Sequence, residues 1–361
     1  MKQKLALLVI FALFLTITGQ AFAQATSSET TPEATEAAVG VNATKDYLVT
    51  RGADMLKQIT QIQGDAQQYF DTLKAANFDY AQAWSAHQAD LKAWVTDARD
   101  TFILAHNDYE HIEGIVAGVP TLANFDTWID AGPPASEDPQ NAYDWTLTLD
   151  DGRTFEKPGN LFHWLLETTL WGTQQEHTGL RVDFDGNGKD ERGDALPDAH
   201  FWLAISNAFV DATTQLNTAI NAWTPSLEDS FTALATMVPT MGDYFQEWKN
   251  SSFVAGQDPR FVAQSRLVDV NGIAASLTII YSNVSSDVTA TDSTLNDQIQ
   301  AGFTDLNDFL SSTYDQEQSG KHFTAEQADA LGAQAQDKAD NLAALIGQAA
   351  SDLNLTLPSF Q

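Results

Sequence analysis

From Lys45 onward, apolar residues return every three, four or seven positions, the recurrence of helices that each bury one face. The pattern is clearest over Tyr80, Trp84, Leu91, Trp94, Ala98, Ala105, Tyr109 and Ile112, which predicts one long core helix. A second helix is predicted over residues 158–172. Pro158 suits its first turn, where a missing amide has no partner to lose, and Gly172 ends it. The pattern resumes after Pro197 over residues 201–223, 227–248 with a kink at Pro239, 261–281, 296–314 and 325–353. Thr324 and Gln327 make a capping box before the last of these. Residues 132–159 are irregular, and the run from Trp145 to Phe155 reads as a small hairpin about the Asp151-Gly152 turn. No parallel-sheet pattern and no glycine-rich phosphate loop is present. The expected fold is therefore all-α: two fused up-down helical bundles, related by duplication, with a hairpin insertion. Residues 45–195 would form the first half and 196–358 the second.

The N-terminus adds a compartment to this picture. Lys2 and Lys4 precede an apolar run from Leu5, and Ala21-Phe22-Ala23 follows it, the layout of a secretory signal peptide over residues 1–23. Residues 24–44, rich in Thr, Ser, Glu and Ala, read as a disordered linker. No later stretch reaches the roughly 20 apolar residues of a spanning helix. The expectation is a periplasmic, secreted or cell-surface protein with no integral membrane segment after cleavage.

Composition then narrows the chemistry. There is no cysteine, so disulfides, thiolate ligands and a lipoprotein anchor are excluded, and any metal must be held by oxygen and imidazole. A net charge of −31 argues against nucleic acid or an anionic membrane as partners and makes cations the natural ligands. Solubility is the plainest reading of such acidity.

Two stretches could carry chemistry of that kind. His163 and Glu167 are four apart, so on a helix they share a face and can meet on one ion or on each other. Imidazole plus carboxylate suits iron, zinc or manganese, while a packed histidine bonded to a glutamate has the same spacing. In Tyr109-Glu110-His111-Ile112-Glu113, Glu113 adjoins the apolar stripe and is the carboxylate expected to point inward. Asp126 and Asp130 follow, four apart, and either could serve as a ligand. Glu110, His111 and Asp126 are expected to be solvated. An inward carboxylate without a cation would be costly, and a metal would remove that cost.

The run Tyr109-Glu-His-Ile-Glu113, the Trp-Ile-Asp130 segment, the His/Glu helix ending Leu170-Trp171-Gly172, and Gln264-Ser265-Arg266-Leu-Val-Asp269 leading to Tyr281 resemble, in that order, the imelysin-like family. That family includes EfeO-type periplasmic iron-uptake proteins and also carries a peptidase label. The resemblance covers most of the chain from about Lys45 to Leu353. It implies a secreted two-part helical bundle with Glu113, Asp130, His163 and Glu167 as metal ligands. The family spaces its histidine and glutamate three apart; here they are four apart, with Trp164 at the family's histidine position. No His-Glu-x-x-His zinc helix or nucleophile triad is present, so the chain is expected not to be an enzyme.

Independently, Asp183, Asp185, Asn187, Gly188, the Lys189 carbonyl and Asp194 fit the oxygen-ligand template of a calcium loop, with Asp194 in place of the usual glutamate. Such an ion would be structural. His87, His106, His177, His200 and His322 show no convergent pattern, and Trp145 and Trp164 could flank a groove. The expected function is extracytoplasmic capture and delivery of a metal ion, iron or else zinc, with an iron permease or haem peroxidase as partner. A metal-dependent hydrolase, and a surface polysaccharide or adhesion protein with a vestigial site, are the alternatives.

Overall fold

A computed structural model describes the backbone of residues 33–357 and the side-chain surroundings of residues 40–357. The expected signal peptide lies outside the described residues, as do residues 24–32 of the expected linker. The rest of that linker is helical. Helix α1 (Glu33–Ala75) includes residues 33–44, and Val41 and Thr44 are buried. Ala- and Glu-rich sequence favours helix once it can dock, and Gly40 lets this end of α1 sit directly on the backbone of Asn283.

Helix α2 (Tyr80–Val116) begins where the Asp79 side chain accepts the Gln82 amide, and it buries Leu91, Ala98, Ala105, Tyr109 and Ile112 as the stripe predicts. After α3 (Ala123–Asp126) the chain widens into a π turn, Thr127–Ala131. Strands β1 (Thr146–Thr148) and β2 (Thr154–Glu156) pair antiparallel, Leu147 opposite Phe155, as the predicted hairpin.

The predicted 158–172 helix is a second π segment, Leu161–Glu167, continued by α4 (Thr168–Leu170). Its start is set by Asn160, whose side-chain oxygen accepts the amides of His163 and Trp164. Strands β3 (Thr178–Arg181) and β4 (Ala195–Pro197) then close the acidic loop between them.

After β4 come α5 (Ala199–Ala222), α6 (Leu227–Met237) and α7 (Met241–Asn250), with a 3-10 turn through Pro239 between the last two, where the kink was expected. Helices α8 (Arg266–Thr291), α9 (Ser293–Gln318) and α10 (Ala325–Asp352) follow, and Thr324 and Gln327 form the capping box of α10. The 261–281 helix starts five residues later than its pattern suggests. Phe261 has a left-handed backbone, φ 53°, and Ser265 caps α8. Among the described residues α8 is long and apolar enough to cross a membrane, but most of that stretch is enclosed by the protein.

The architecture is all-α apart from the two short ribbons. α1, α2 and α5 pack together, α7, α9 and α10 pack together, and α8 touches both groups. The α2/α8 approach depends on glycine. A Cβ at Gly114 would come within 2.6 Å of Ser276 Oγ, and one at Gly272 within 3.0 Å of Glu110 Cβ. That closeness brings the start of α8 against the last turns of α2, where the chemistry lies.

Candidate metal centre

Four elements converge: the C-terminal half of α2, the two π segments, and the start of α8 with the loop before it. In a π turn each amide reaches back five residues, so the turn takes in one residue more than an α turn. Gly132 accordingly donates to the Thr127 carbonyl, and the turn aims Asp130 inward. The second π segment absorbs the fourth residue of the His163–Glu167 spacing, and His163 Nδ1 meets Glu167 Oε2 at 2.8 Å.

At the centre stand His106, Glu110, Asp130 and His163, all buried, each offering a ligand atom within 4.8 Å of the others. The Nε2 atoms of His106 and His163 face each other at 3.2 Å. Asp130 Oδ1 is 3.2 Å from His163 Nε2 and 3.5 Å from His106 Nε2, and Glu110 Oε1 is 2.8 Å from His106 Nε2. Neither oxygen of Glu110, nor Asp130 Oδ1, nor Glu113 Oε2, receives a well-directed hydrogen bond. Buried carboxylate oxygens in that state cost several kcal/mol of desolvation, of order 3–5 kcal/mol for an unmatched charge. Two facing imidazole nitrogens and bare carboxylate oxygens are a donor set for a cation, so the residues fit a metal.

Of the implied ligands, Asp130 and His163 belong to this set, whereas Glu113 and Glu167 stand differently. Glu167 Oε1 accepts the amides of Val262 at 2.6 Å and Ala263 at 2.8 Å, and its Oε2 accepts from Phe261 at 3.1 Å and from His163. All its acceptor capacity is spent. Glu167 therefore orients His163, its hydrogen bond at Nδ1 turning Nε2 to the centre, the usual outer arrangement of a metal-binding histidine. The left-handed Phe261 is what aims three successive amides at it. Glu113 lies one turn beyond Glu110 and takes the Tyr244 hydroxyl at 2.6 Å.

Two members of the centre escape the sequence reading. His106 sits beside the apolar stripe, four before Glu110, the same spacing as His163 and Glu167; that pair was the available signal. Glu110 and Asp126 are 1 % and 8 % exposed, not solvated: α8 closes over the face of α2 that carries Glu110, and Asp126, at the end of α3, is held against α2 by the Tyr109 hydroxyl. His111 is half-buried as part of the same turn. Gln264 and Asp269 stand behind His106, with Gln264 Nε2 2.7 Å from its Nδ1 and Asp269 Oδ1 at 3.5 Å. Arg266, 4 % exposed, donates to Asp269 at 2.8 Å and Glu247 at 2.9 Å and lies 3.2 Å from His163 Nε2.

The electrostatics follow from one arginine among many buried acids. Burial pushes Glu110 well above the usual carboxylate range, and the Asp269 and Asp130 charges add to it. Burial does the same to Glu113, with Glu110 as the next cause, and lifts Asp126 to about 7, with Asp130 second. Asp130 goes the other way: burial opposes its charge, but His163 and His106 beside it hold it well below the usual range. Burial also resists charging of the two histidines. The charges and hydrogen bonds of Asp130 and Glu167 together outweigh this at His163, and those of Asp269 and Asp130 together outweigh it at His106, so both are raised.

A cavity of about 260 Å³ reaches Asp130, His163, Glu113 and Asp126 from solvent, giving a cation a route in. The other predicted features lie elsewhere. Asp183, Asp185 and Asp194 approach within 4.8 Å of one another, but Asp194 already accepts the amides of Phe184 and Glu191, and Asp183 those of Gly186 and Gly188. Asn187 bonds to Asp185 and takes the Lys189 amide. Trp164 is buried beneath the Arg260 guanidinium, 4.1 Å from its ring centre, and Trp145 is half-buried and donates to the Gly159 carbonyl, so the two do not flank an open groove.

Comparison with known proteins bears on the whole arrangement. No curated protein matches the chain. A solved structure from Parabacteroides distasonis, described as a candidate iron-regulated protein A precursor, shares the fold at a TM-score of 0.51 and 13 % identity, covering 90 % of this chain and 96 % of that one. The sequence profile of the family Imelysin, peptidase M75, matches residues 43–347. That span takes in both π segments, α2 and α8, and the chain belongs to the imelysin family.

Proposed function

We propose that this protein is an extracytoplasmic iron-binding protein that captures the ion at His106, Glu110, Asp130 and His163 and passes it on. The observation that carries this is the buried convergence of Glu110 and Asp130 oxygens, 2.8 to 3.5 Å from the Nε2 atoms of two histidines that are themselves 3.2 Å apart. Glu167 at His163 and Gln264 at His106 contact the Nδ1 atoms and leave the two Nε2 atoms inward, and Arg266 offsets part of the negative charge while the centre is free of metal. The donors are nitrogen and oxygen only, which suits iron and also zinc or manganese. The iron-regulated description of the Parabacteroides relative favours iron. The delivery step would involve a membrane permease or a haem peroxidase as receiver.

Anaerobic calorimetry with ferrous ion, alongside zinc, tests the reading: the native chain should bind with sub-micromolar affinity and the His163→Ala variant should not. Equal affinity in the two would overturn it. The cavity that reaches Asp130 and His163 supports a second reading, in which a metal with an open position serves hydrolysis of a peptide. Peptide cleavage by the metal-loaded chain that vanishes in His163→Ala would establish it; cleavage that persists in a His163→Ala, Glu167→Ala variant would dispose of it.

A further inference from the structure

Arg266 reaches the metal centre although a guanidinium, all donor and always charged, cannot bind a metal. It is 4 % exposed, and its Nη1 lies 2.8 Å from Asp269 Oδ2, 3.9 Å from Glu110 Oε1 and 3.2 Å from His163 Nε2. His163 Nδ1 is committed to Glu167 Oε2, so Nε2 is all that this ring offers the centre, and it has a single in-plane lone pair. That lone pair can serve the guanidinium or a cation, not both. A cation bound there would also face a like charge at close range in a buried site. The guanidinium has somewhere to go. Its Nε donates to Glu247 at 2.9 Å, the Glu247 side chain is 41 % exposed, and Glu247, Asp243 and Arg266 line the same cavity as His163. Its carbon lies over the rings of Phe261 and Tyr244, 4.6 and 5.1 Å from their centres, and a ring face sets no single hydrogen-bond direction.

We propose that Arg266 is an internal competitor for the metal: its Nη1 holds the His163 lone pair while the centre is empty, yields it to an arriving ion by moving toward Glu247 and Asp243, and by returning helps to release that ion. This rests on the metal-binding reading above and adds how the grip is set. Molecules with Arg266 inward are not competent to bind, so the apparent dissociation constant is the intrinsic one divided by the fraction with Arg266 outward. Binding is then weaker, and release faster, than the four ligands alone would give. A protein that must hand its ion on needs such a limit.

The test uses Zn2+ as probe on the full chain. Arg266→Gln still offers an amide to Asp269 but loses the charge and is too short to reach His163. It should bind Zn2+ about 10-fold tighter or more than the native chain, with slower loss of the ion to a chelator in stopped flow. Equal or weaker binding by folded Arg266→Gln overturns the proposal. A measurement on the native chain covers a variant that does not fold. By nuclear magnetic resonance of isotope-labelled arginine, the Nη protons of Arg266, buried without metal, should exchange faster with water once Zn2+ is bound. Exchange unchanged at saturating Zn2+ would mean that the guanidinium stays in place as a fixed charge. That result overturns the displacement and leaves the metal-binding reading standing, whereas a native chain that binds no Zn2+ overturns both.

Discussion

Two clusters of acidic side chains in this protein look alike on paper and differ in what their oxygens are doing. In the 183–194 loop every aspartate is exposed or already bonded to a backbone amide, so water and backbone meet the needs of its oxygens with or without an ion. Around Asp130 the carboxylates are buried, several oxygens have no partner, and two histidines point their nitrogens at them. Acidity and spacing therefore do not make a metal site by themselves. The unmet demand of buried oxygens is what singles out the Asp130 cluster as the stronger candidate, because water cannot supply what the protein withholds.

The largest expected effect that could break this contrast comes from the inner ligands. His106→Ala should weaken ferrous or zinc binding by more than 100-fold by calorimetry, as much as His163→Ala, although the family motifs do not include it. Next comes Glu167→Gln, which keeps the shape but replaces a fully used acceptor. It should cost roughly 10- to 100-fold in metal affinity, the usual loss for a residue that orients a ligand. An effect as large as that of His163→Ala would make Glu167 a ligand after all.

A third prediction sharpens the comparison through histidine alone. His177 is buried against Phe201 and the Thr168 hydroxyl, with no carboxylate beside it, and burial lowers it to about 3. The unfolded chain takes up that proton below about 6.5, and the folded one refuses it until about 3. The native state should thus lose stability progressively as pH falls from 6.5 toward 3, by at most ~1.4 kcal/mol per unit from this group. Urea unfolding of metal-free protein should show a shallower decline in His177→Gln; identical slopes would refute the assignment. The smallest effect belongs to the loop. Because most of its carboxylates are exposed and aspartate stands in place of the usual final glutamate, calcium should bind no tighter than about 10⁻⁴ M, and sub-micromolar binding would erase that distinction.

Much of this arrangement was legible in the residues. The stripe on α2, the kink at Pro239, the hairpin about Gly152 and the Thr324 capping box all rest on local rules, and the structure has them. Asp130 and His163 were legible through family motifs. What escaped was set by distant parts of the chain. Glu110 is buried because Gly272 lets α8 close over it, and Glu167 is an orienting group because Phe261, 94 residues away, turns its amides toward it. The π turn that aims His163 reads in the sequence as ordinary helix, and the one that aims Asp130 lies outside every helix the pattern predicts.

The most direct test is anomalous diffraction at the iron edge from crystals grown with ferrous ion under nitrogen. The account predicts a peak within bonding distance of the Nε2 atoms of His106 and His163 and of Asp130 Oδ1. A peak only in the 183–194 loop, or none between the two imidazoles at saturating iron, would contradict it.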